Sequence, residues 1–271
     1  MKHIQSYSHY REICQAAVQR PCDTNFHLLP SAVKALIESG QLLYDESQPK
    51  GGLLLYIDYP RFYTSLFFFN SGETMVIPPQ EKPVVINIVY PESVGIAPVP
   101  YEILQKSGFQ KYELLEQFCF NAVDSLVEPP PDGYSIDYAK DSQIPVIQKI
   151  LDASFSNYLG LPNAQQLSQL IKDQAAFSVI SPAGQVCGYM QLEKIGNTCF
   201  GQHIGISAEE RGKGLGKKLY VQTMRLAQCK EYRGWVNEQN VASQRMHYSL
   251  GFQVNEMRLL RLIQYPSAPR I

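Results

Sequence analysis

The residues of this chain best suited to chemistry lie between Ile204 and Leu219. An apolar, strand-like run ends near Ser207 and a short polar turn follows. A helix with apolar Leu215, Leu219, Val221, Met224 and Leu226 then opens on Gly212, Gly214 and Gly216. A helix start presents backbone N–H groups without intrahelical partners, together with the positive end of the helix dipole, and both suit a pyrophosphate. Glycines let an anion approach the backbone with no Cβ in the way. Arg211, Lys213, Lys217 and Lys218 add positive charge at the same place. The spacing is neither the Gly-x-Gly-x-x-Gly of a dinucleotide loop nor that of a Walker loop.

A second constellation follows, with a strand-like stretch through Trp235, Val236 and Asn237, then Asn240, Ser243, and a helix running through Met246, His247 and Tyr248 to Gly251-Phe252. Arg211 and Asn240 stand 29 positions apart, the length of one helix and one strand. The order, spacing and topology of the two segments resemble the GNAT superfamily of acetyltransferases over about 130 residues. In that family the second signature is an Asn, a helix and a closing Leu-Tyr-x-x-x-Gly-Phe; here Met246 stands for the Leu and His247 for the Tyr.

The resemblance implies acetyl-CoA as cosubstrate, lying between the strand that ends at Ser207 and the strand containing Val236. It implies that backbone groups of Ile204 and Ile206 hold the pantetheine and the thioester carbonyl, with an N–H near Ile206 as oxyanion donor. Amides of Arg211, Gly212, Lys213, Gly214, Leu215, Gly216 and Lys217 take the pyrophosphate, and Asn240 and Ser243 contact the far side of the cofactor arm. It implies an N-acetyltransferase acting by direct transfer on a primary amine. An acyl-CoA sensor without turnover is the alternative, because the family's tyrosine is replaced.

Direct transfer needs an uncharged amine, and a lysine-type amine of pKa near 10.4 is neutral only about once in 2,500 molecules at pH 7. Catalytic candidates are therefore sought among proton carriers. His247 occupies the position of the proton-donating tyrosine and titrates near neutrality. Tyr248 lies one residue on, rotated by about 100° on a helix, and reads as structural. His203, on the strand beside the thioester site, and Glu193, on the preceding strand, are the candidates for the substrate's base.

The elements that must position these residues are legible around them. Tyr134–Tyr138 reads as a strand, the residues after Asp141 and Asn163–Lys172 as helices, and Ala176–Ser181, Val186–Lys194 and Cys199–Ser207 as an antiparallel meander. Gly214–Gln228 and Val241–Leu250 read as helices, with strands Tyr232–Asn237 and Phe252–Gln264 after each. Consecutive prolines at 129–131 followed by Asp-Gly mark a linker over 128–133. Two α+β domains are expected, 1–127 and 134–271, each with a mixed, mainly antiparallel sheet flanked by helices. In the first, helices are expected over Tyr10–Gln19, Leu29–Ser39 and Tyr101–Lys106, and strands over Gly52–Ile57, Thr64–Asn70, Pro83–Val89 and Tyr112–Phe120. Gly108-Phe109 ends that half's last helix as Gly251-Phe252 ends the other's, but no Arg-x-x-Gly-x-Gly run occurs there. The first half thus reads as a degenerate GNAT-like domain without cofactor capacity, the alternative being an unrelated α+β domain. Its aromatics Tyr56, Tyr59, Phe62, Tyr63, Phe67, Phe68 and Phe69 are read as core packing, the alternative being the lining of a substrate cleft or an interdomain interface.

Net charge is −1, with no massed Lys/Arg run, which argues against a nucleic-acid or membrane-surface partner and for a small-molecule or peptide amine. The N-terminus carries no apolar leader, and no stretch has the length of a membrane span. Six scattered cysteines form no CxxC pair and have no His at metal spacing. The expectation is a cytoplasmic protein with free thiols and no metal.

Overall fold

The computed structural model describes residues 1–46, 51–71, 77–96, 98–121 and 133–266. The chain divides into two compact units, residues 1–114 with 257–271, and residues 115–256.

The first unit contains β1 (Lys2–His3), α1 (Tyr7–Ala17), β2 (Cys22–Thr24), α2 (Pro30–Glu38), β3 (Leu42–Asp45), β4 (Gly52–Asp58), β5 (Tyr63–Asn70), β6 (Val84–Pro91), α3 (Pro98–Lys106) and the start of β7 (Gln110–Asn121). β1, β3, β4 and β5 pair antiparallel in that order, and β5 meets β6 in parallel. The β4 run is apolar at every position from Leu53 to Ile57 because both faces are covered. Leu53, Leu55 and Ile57 pack with Val33 and residues of α1 and α2, while Leu54 and Tyr56 pack with Ile103 and Leu104 of α3. Tyr56, Tyr63, Phe67 and Phe69 are buried in that core, as the sequence reading of the aromatics expects.

The second unit contains β8 (Ser135–Tyr138), α4 (Ile144–Ser154), α5 (Ala164–Lys172), β9 (Ala176–Ile180), β10 (Val186–Ile195), β11 (Thr198–Ile206), α6 (Leu215–Ala227), β12 (Glu231–Asn237), α7 (Val241–Ser249) and the start of β13 (Gln253–Gln264). β9 to β11 form the expected antiparallel meander, β8 pairs antiparallel with β9, and β11 pairs with β12 in parallel. Alternate residues of β10 serve opposite layers: Tyr189 packs with Ile147, Leu151 and Leu167 of α4 and α5, and Met190 with Leu215, Leu219 and Met224 of α6. α5 begins with a reciprocal cap in which Asn163 accepts from the Gln166 backbone and the Gln166 side chain accepts from the Asn163 backbone.

Two strands serve both units. β7 residues 115–121 pair with β12 in the second unit, and β13 residues 257–264 pair with β6 in the first. The compact units therefore divide at other points than the expected linker, which lies outside the described residues except for Gly133. The cysteine expectation is corrected: Cys199 and Cys229 are joined by a disulfide, and Cys14, Cys22, Cys119 and Cys187 are free. The turn after α6 brings Cys229 beside the start of β11, where Lys230 N–H bonds the carbonyl of Asn197. Among the described residues, no helix is long and apolar enough to cross a membrane. No cluster of three or more His, Cys, Asp or Glu in the described residues is placed to hold a metal.

Candidate active site

β11 and β12 pair in parallel only from Thr198↔Glu231 to Gly201↔Gly234 and then part. The divergence has a local cause in β11. Between the pairs Met190↔Ile204 and Leu192↔Gly201, β10 advances two residues and β11 three, so Gln202 and His203 form a bulge opposite Gln191. Such a bulge bends a strand and increases its twist. Beyond it, Ser207 donates its backbone N–H to Cys187. Alternation along an antiparallel ladder then turns the backbone groups of Ile206 and Ile204 to the opposite edge, where β12 has left. The two residues expected to hold the pantetheine thus direct main-chain donors and acceptors into the open cleft.

At the mouth of the cleft is the glycine loop. Gly212 (φ 79°) and Gly214 (φ 74°) take left-handed backbone conformations that side-chain-bearing residues rarely adopt, and a Cβ on either would meet open space. Gly214 caps α6 without a side-chain bond. Among the described residues, no backbone carbonyl accepts from the N–H groups of Gly212 to Lys217. Arg211 is fixed by its Nε–H to the carbonyl of Ile206 at 3.0 Å. Lys213 turns away to Glu210, 2.8 Å, and Tyr134, 3.1 Å, and the lysine's hydrogen bond holds the Glu210 carboxyl below its ordinary range. Lys217 points its Nζ at the carbonyl of Ser249 on α7, 3.5 Å away.

On the far side of the cleft, Asn240 caps α7 by accepting from Ser243 N–H at 3.1 Å. Ser243 in turn accepts at its carbonyl from His247 Nδ1–H at 2.8 Å, which leaves Nε2 as the acceptor nitrogen of the neutral ring. His247 is buried among Phe118, Tyr220 and Phe252. Desolvation lowers its pKa, so the folded state favours the uncharged ring. The sign follows directly: stability from the neutral ring is present above the unfolded value of about 6.5 and is lost as pH falls through the lower folded value. His247→Gln is therefore expected to flatten the decline of the urea midpoint between pH 7 and 5.

His203 lies on the other face of the sheet, against Phe155, with Nδ1 3.2 Å from Gln191 Oε1. It lines a cavity of about 320 Å³ together with Gln166, Gln169, Leu170 and Gln191. Glu193 is exposed, sits opposite Phe200 before the strands part, and accepts from Gln202 Nε2 at 2.7 Å. His203, His247 and Glu193 are thus not one cluster. Tyr248 is exposed, with its ring against Phe118. Gly201, Gly234 and Tyr220, which meet where the cleft begins, were not singled out by the sequence reading. Two glycines inside strand patterns are the signal that marks such a close approach.

The first unit has a corresponding parting. β5 and β6 pair in parallel only at Tyr63↔Val84 and Thr64↔Val85. There the vacated edge of β5 is taken by the chain itself, with β2 pairing from Cys22↔Asn70 to Thr24↔Phe68. Asn25 bridges the gap, donating to the carbonyls of Ser65 (3.1 Å) and Asn87 (3.2 Å) and accepting from Phe67 N–H (2.7 Å).

Residues 144–252 match the family model described as acetyltransferase (GNAT) family. No curated protein matches the chain. Among solved structures, the chain is similar to a tandem GNAT protein from the clavulanic acid biosynthesis pathway, with 14% identity, 84% of this chain and 85% of that one covered, and a TM-score of 0.55. It is also similar to a GCN5-related N-acetyltransferase from Sphaerobacter thermophilus, with 12% identity, 89% of each chain covered and a TM-score of 0.54. A GCN5-related N-acetyltransferase from Kribbella flavida gives 13% identity, coverage of 79% and 87%, and a TM-score of 0.51. Residues 144–252 thus match the GNAT acetyltransferase family, within a chain whose fold is that of a tandem GNAT protein.

Proposed function

We propose that the protein transfers an acetyl group from acetyl-CoA to a primary amine by direct attack of the amine on the thioester. The observation that carries this reading is the parting of β11 and β12 after Gly201↔Gly234, with the backbone of Ile204 and Ile206 turned into the gap and, at its mouth, a row of amides from Gly212 to Lys217 that bond no backbone carbonyl among the described residues. A thioester on a long amide-bearing arm that ends in a pyrophosphate fits that sequence of groups. The amides of the glycine loop take the pyrophosphate through hydrogen bonds and the α6 dipole. Ile204 and Ile206 align the arm, and a backbone N–H of β11 stabilises the oxyanion formed on attack, a contribution worth roughly 3 kcal/mol of barrier.

The acceptor is assigned to the cavity on the α4 and α5 side, where His203 is the candidate base and Gln166, Gln169 and Gln191 offer neutral hydrogen-bonding groups. Glu193 lies outside this arrangement. His247 is assigned a positioning role, because its one proton in the neutral state is engaged with Ser243. That same feature favours the second reading, an acyl-CoA sensor without turnover.

Trp235, the chain's single tryptophan, is the first β12 residue beyond the parting and reports on the cleft directly. Acetyl-CoA is expected to change its fluorescence and to bind calorimetrically at one molecule per chain, because the first unit's gap is filled by Asn25 and β2. A thiol-release assay over a panel of amines then separates enzyme from sensor. Absence of binding to the folded protein would end both readings, and two equivalents bound would contradict the assignment of the first unit.

A further inference from the structure

Tyr220 of α6 is 2% exposed, and its hydroxyl is buried without a hydrogen-bond partner among the described residues. The hydroxyl lies beneath the point where the cleft begins. A Cβ added to Gly201 would stand 2.6 Å from it and one added to Gly234 3.3 Å, and these two glycines are the last pair joining β11 to β12. The glycines therefore leave the space that the phenol occupies. His247 Nε2 approaches the same spot, 3.6 Å from the Gly234 position, and the Tyr220 and His247 rings meet edge to face with centroids 5.1 Å apart. A phenylalanine at 220 would fill the same core without stranding a polar atom, so the hydroxyl costs stability that packing alone does not require.

We infer, on the basis of the acetyltransferase reading above, that the Tyr220 hydroxyl donates a hydrogen bond to the sulfur of bound CoA and supplies the proton taken up by the departing thiolate. As the amine nitrogen forms its bond to the acyl carbon, the C–S bond breaks and its electron pair goes to sulfur. The Tyr220 O–H bond then breaks as S–H forms. The proton shed by the amine passes to solvent on the His203 side, and the phenolate is reprotonated from solvent once the cleft empties. The net change is one proton moved from nitrogen to sulfur. His247 cannot serve as this donor in its neutral state, since its proton is held on Nδ1 by Ser243. It acts as a positioning residue, its ring confining that of Tyr220. Burial raises the phenol's pKa and keeps the donor form at rest.

The test combines Tyr220→Phe with tyrosine labelled at 13Cζ, the Tyr220 signal being the one the variant lacks. CoA is expected to shift that signal, and desulfo-CoA, which lacks the sulfur, is expected to bind and leave it in place. Tyr220→Phe should unfold at the same temperature as wild type or higher and bind acetyl-CoA equally, yet transfer the acetyl group about 100-fold more slowly in a single turnover. A variant with wild-type rate, or a signal equally moved by both ligands or by neither, overturns the inference while the acetyltransferase reading stands. A wild-type protein that binds CoA with the sulfur-dependent shift but never releases thiol rejects turnover and retains the contact. One that binds neither ligand removes both.

Discussion

Replacing Gly214 and Gly216 together with glutamate is expected to weaken acetyl-CoA binding by at least 100-fold, about 2.7 kcal/mol, while cooperative unfolding is retained. The two effects are separable for steric reasons. A Cβ at Gly214 meets open space, and one at Gly216 comes no nearer than 3.5 Å to Met246 Sδ, an ordinary contact. The cost to the fold is the left-handed backbone at Gly214, roughly 1–2 kcal/mol for a residue with a Cβ, offset in part by two carboxylates at the positive end of α6. The same carboxylates stand where the pyrophosphate would lie and repel it. Calorimetric titration of wild type and variant reads the difference. A folded variant of undiminished affinity would show that the anion is bound elsewhere, and the assignment of the glycine loop would fall with it.

The loop stood out in the sequence because the chemistry proposed for it is carried by the main chain, and glycine is the residue that advertises main-chain access. Ile204 and Ile206 were named through the family resemblance alone, and which edge their backbone faces follows from the ladder with β10. Side-chain chemistry was less visible. His247 was identified by its place in a pattern that also holds Phe252, but its burial against Phe118 of β7 and Tyr220 of α6 is reported by no local spacing. Tyr220 is not among the residues the sequence singles out on α6. Its hydroxyl becomes informative only when Gly201 and Gly234, 33 positions apart, are brought opposite one another. Glu193 and His203 are ten positions apart on adjacent strands. The bulge at Gln202 and His203 breaks the alternation that would relate them.

Apart from the short strands β1, β2 and β3, which no expectation covered, the regular elements were read to within a few residues, because apolar periodicity and caps such as Asn163 with Gln166 are local. The units they build were not. Nothing in the alternation of Gln110–Asn121 or Gln253–Gln264 says that each strand begins in one unit and ends in the other, since pairing partners are chosen by tertiary contact. β2, three residues long, is too short to carry a period at all. Yet it explains most simply why the first half, with a parallel parting of its own, is assigned no cofactor.

Asn25→Ala is accordingly expected to destabilise the protein by about 2–3 kcal/mol without creating a second acetyl-CoA site. The substitution removes two donors and one acceptor at once, leaving Phe67 N–H and the carbonyls of Ser65 and Asn87 without the amide that joins β5 to β6. Asn25→Asp distinguishes this bridge from a merely polar filler. The carboxylate still accepts from Phe67 N–H but presents oxygen to two carbonyl oxygens, so Asp is expected to be no better tolerated than Ala at neutral pH and to recover part of the loss when protonated. Urea midpoints of the three proteins at pH 7 and pH 4, each taken relative to wild type at the same pH, read the difference. Equal stability of Asp and wild type at pH 7 would mean that the two donor bonds contribute nothing, and the gap would then be held by β2 alone.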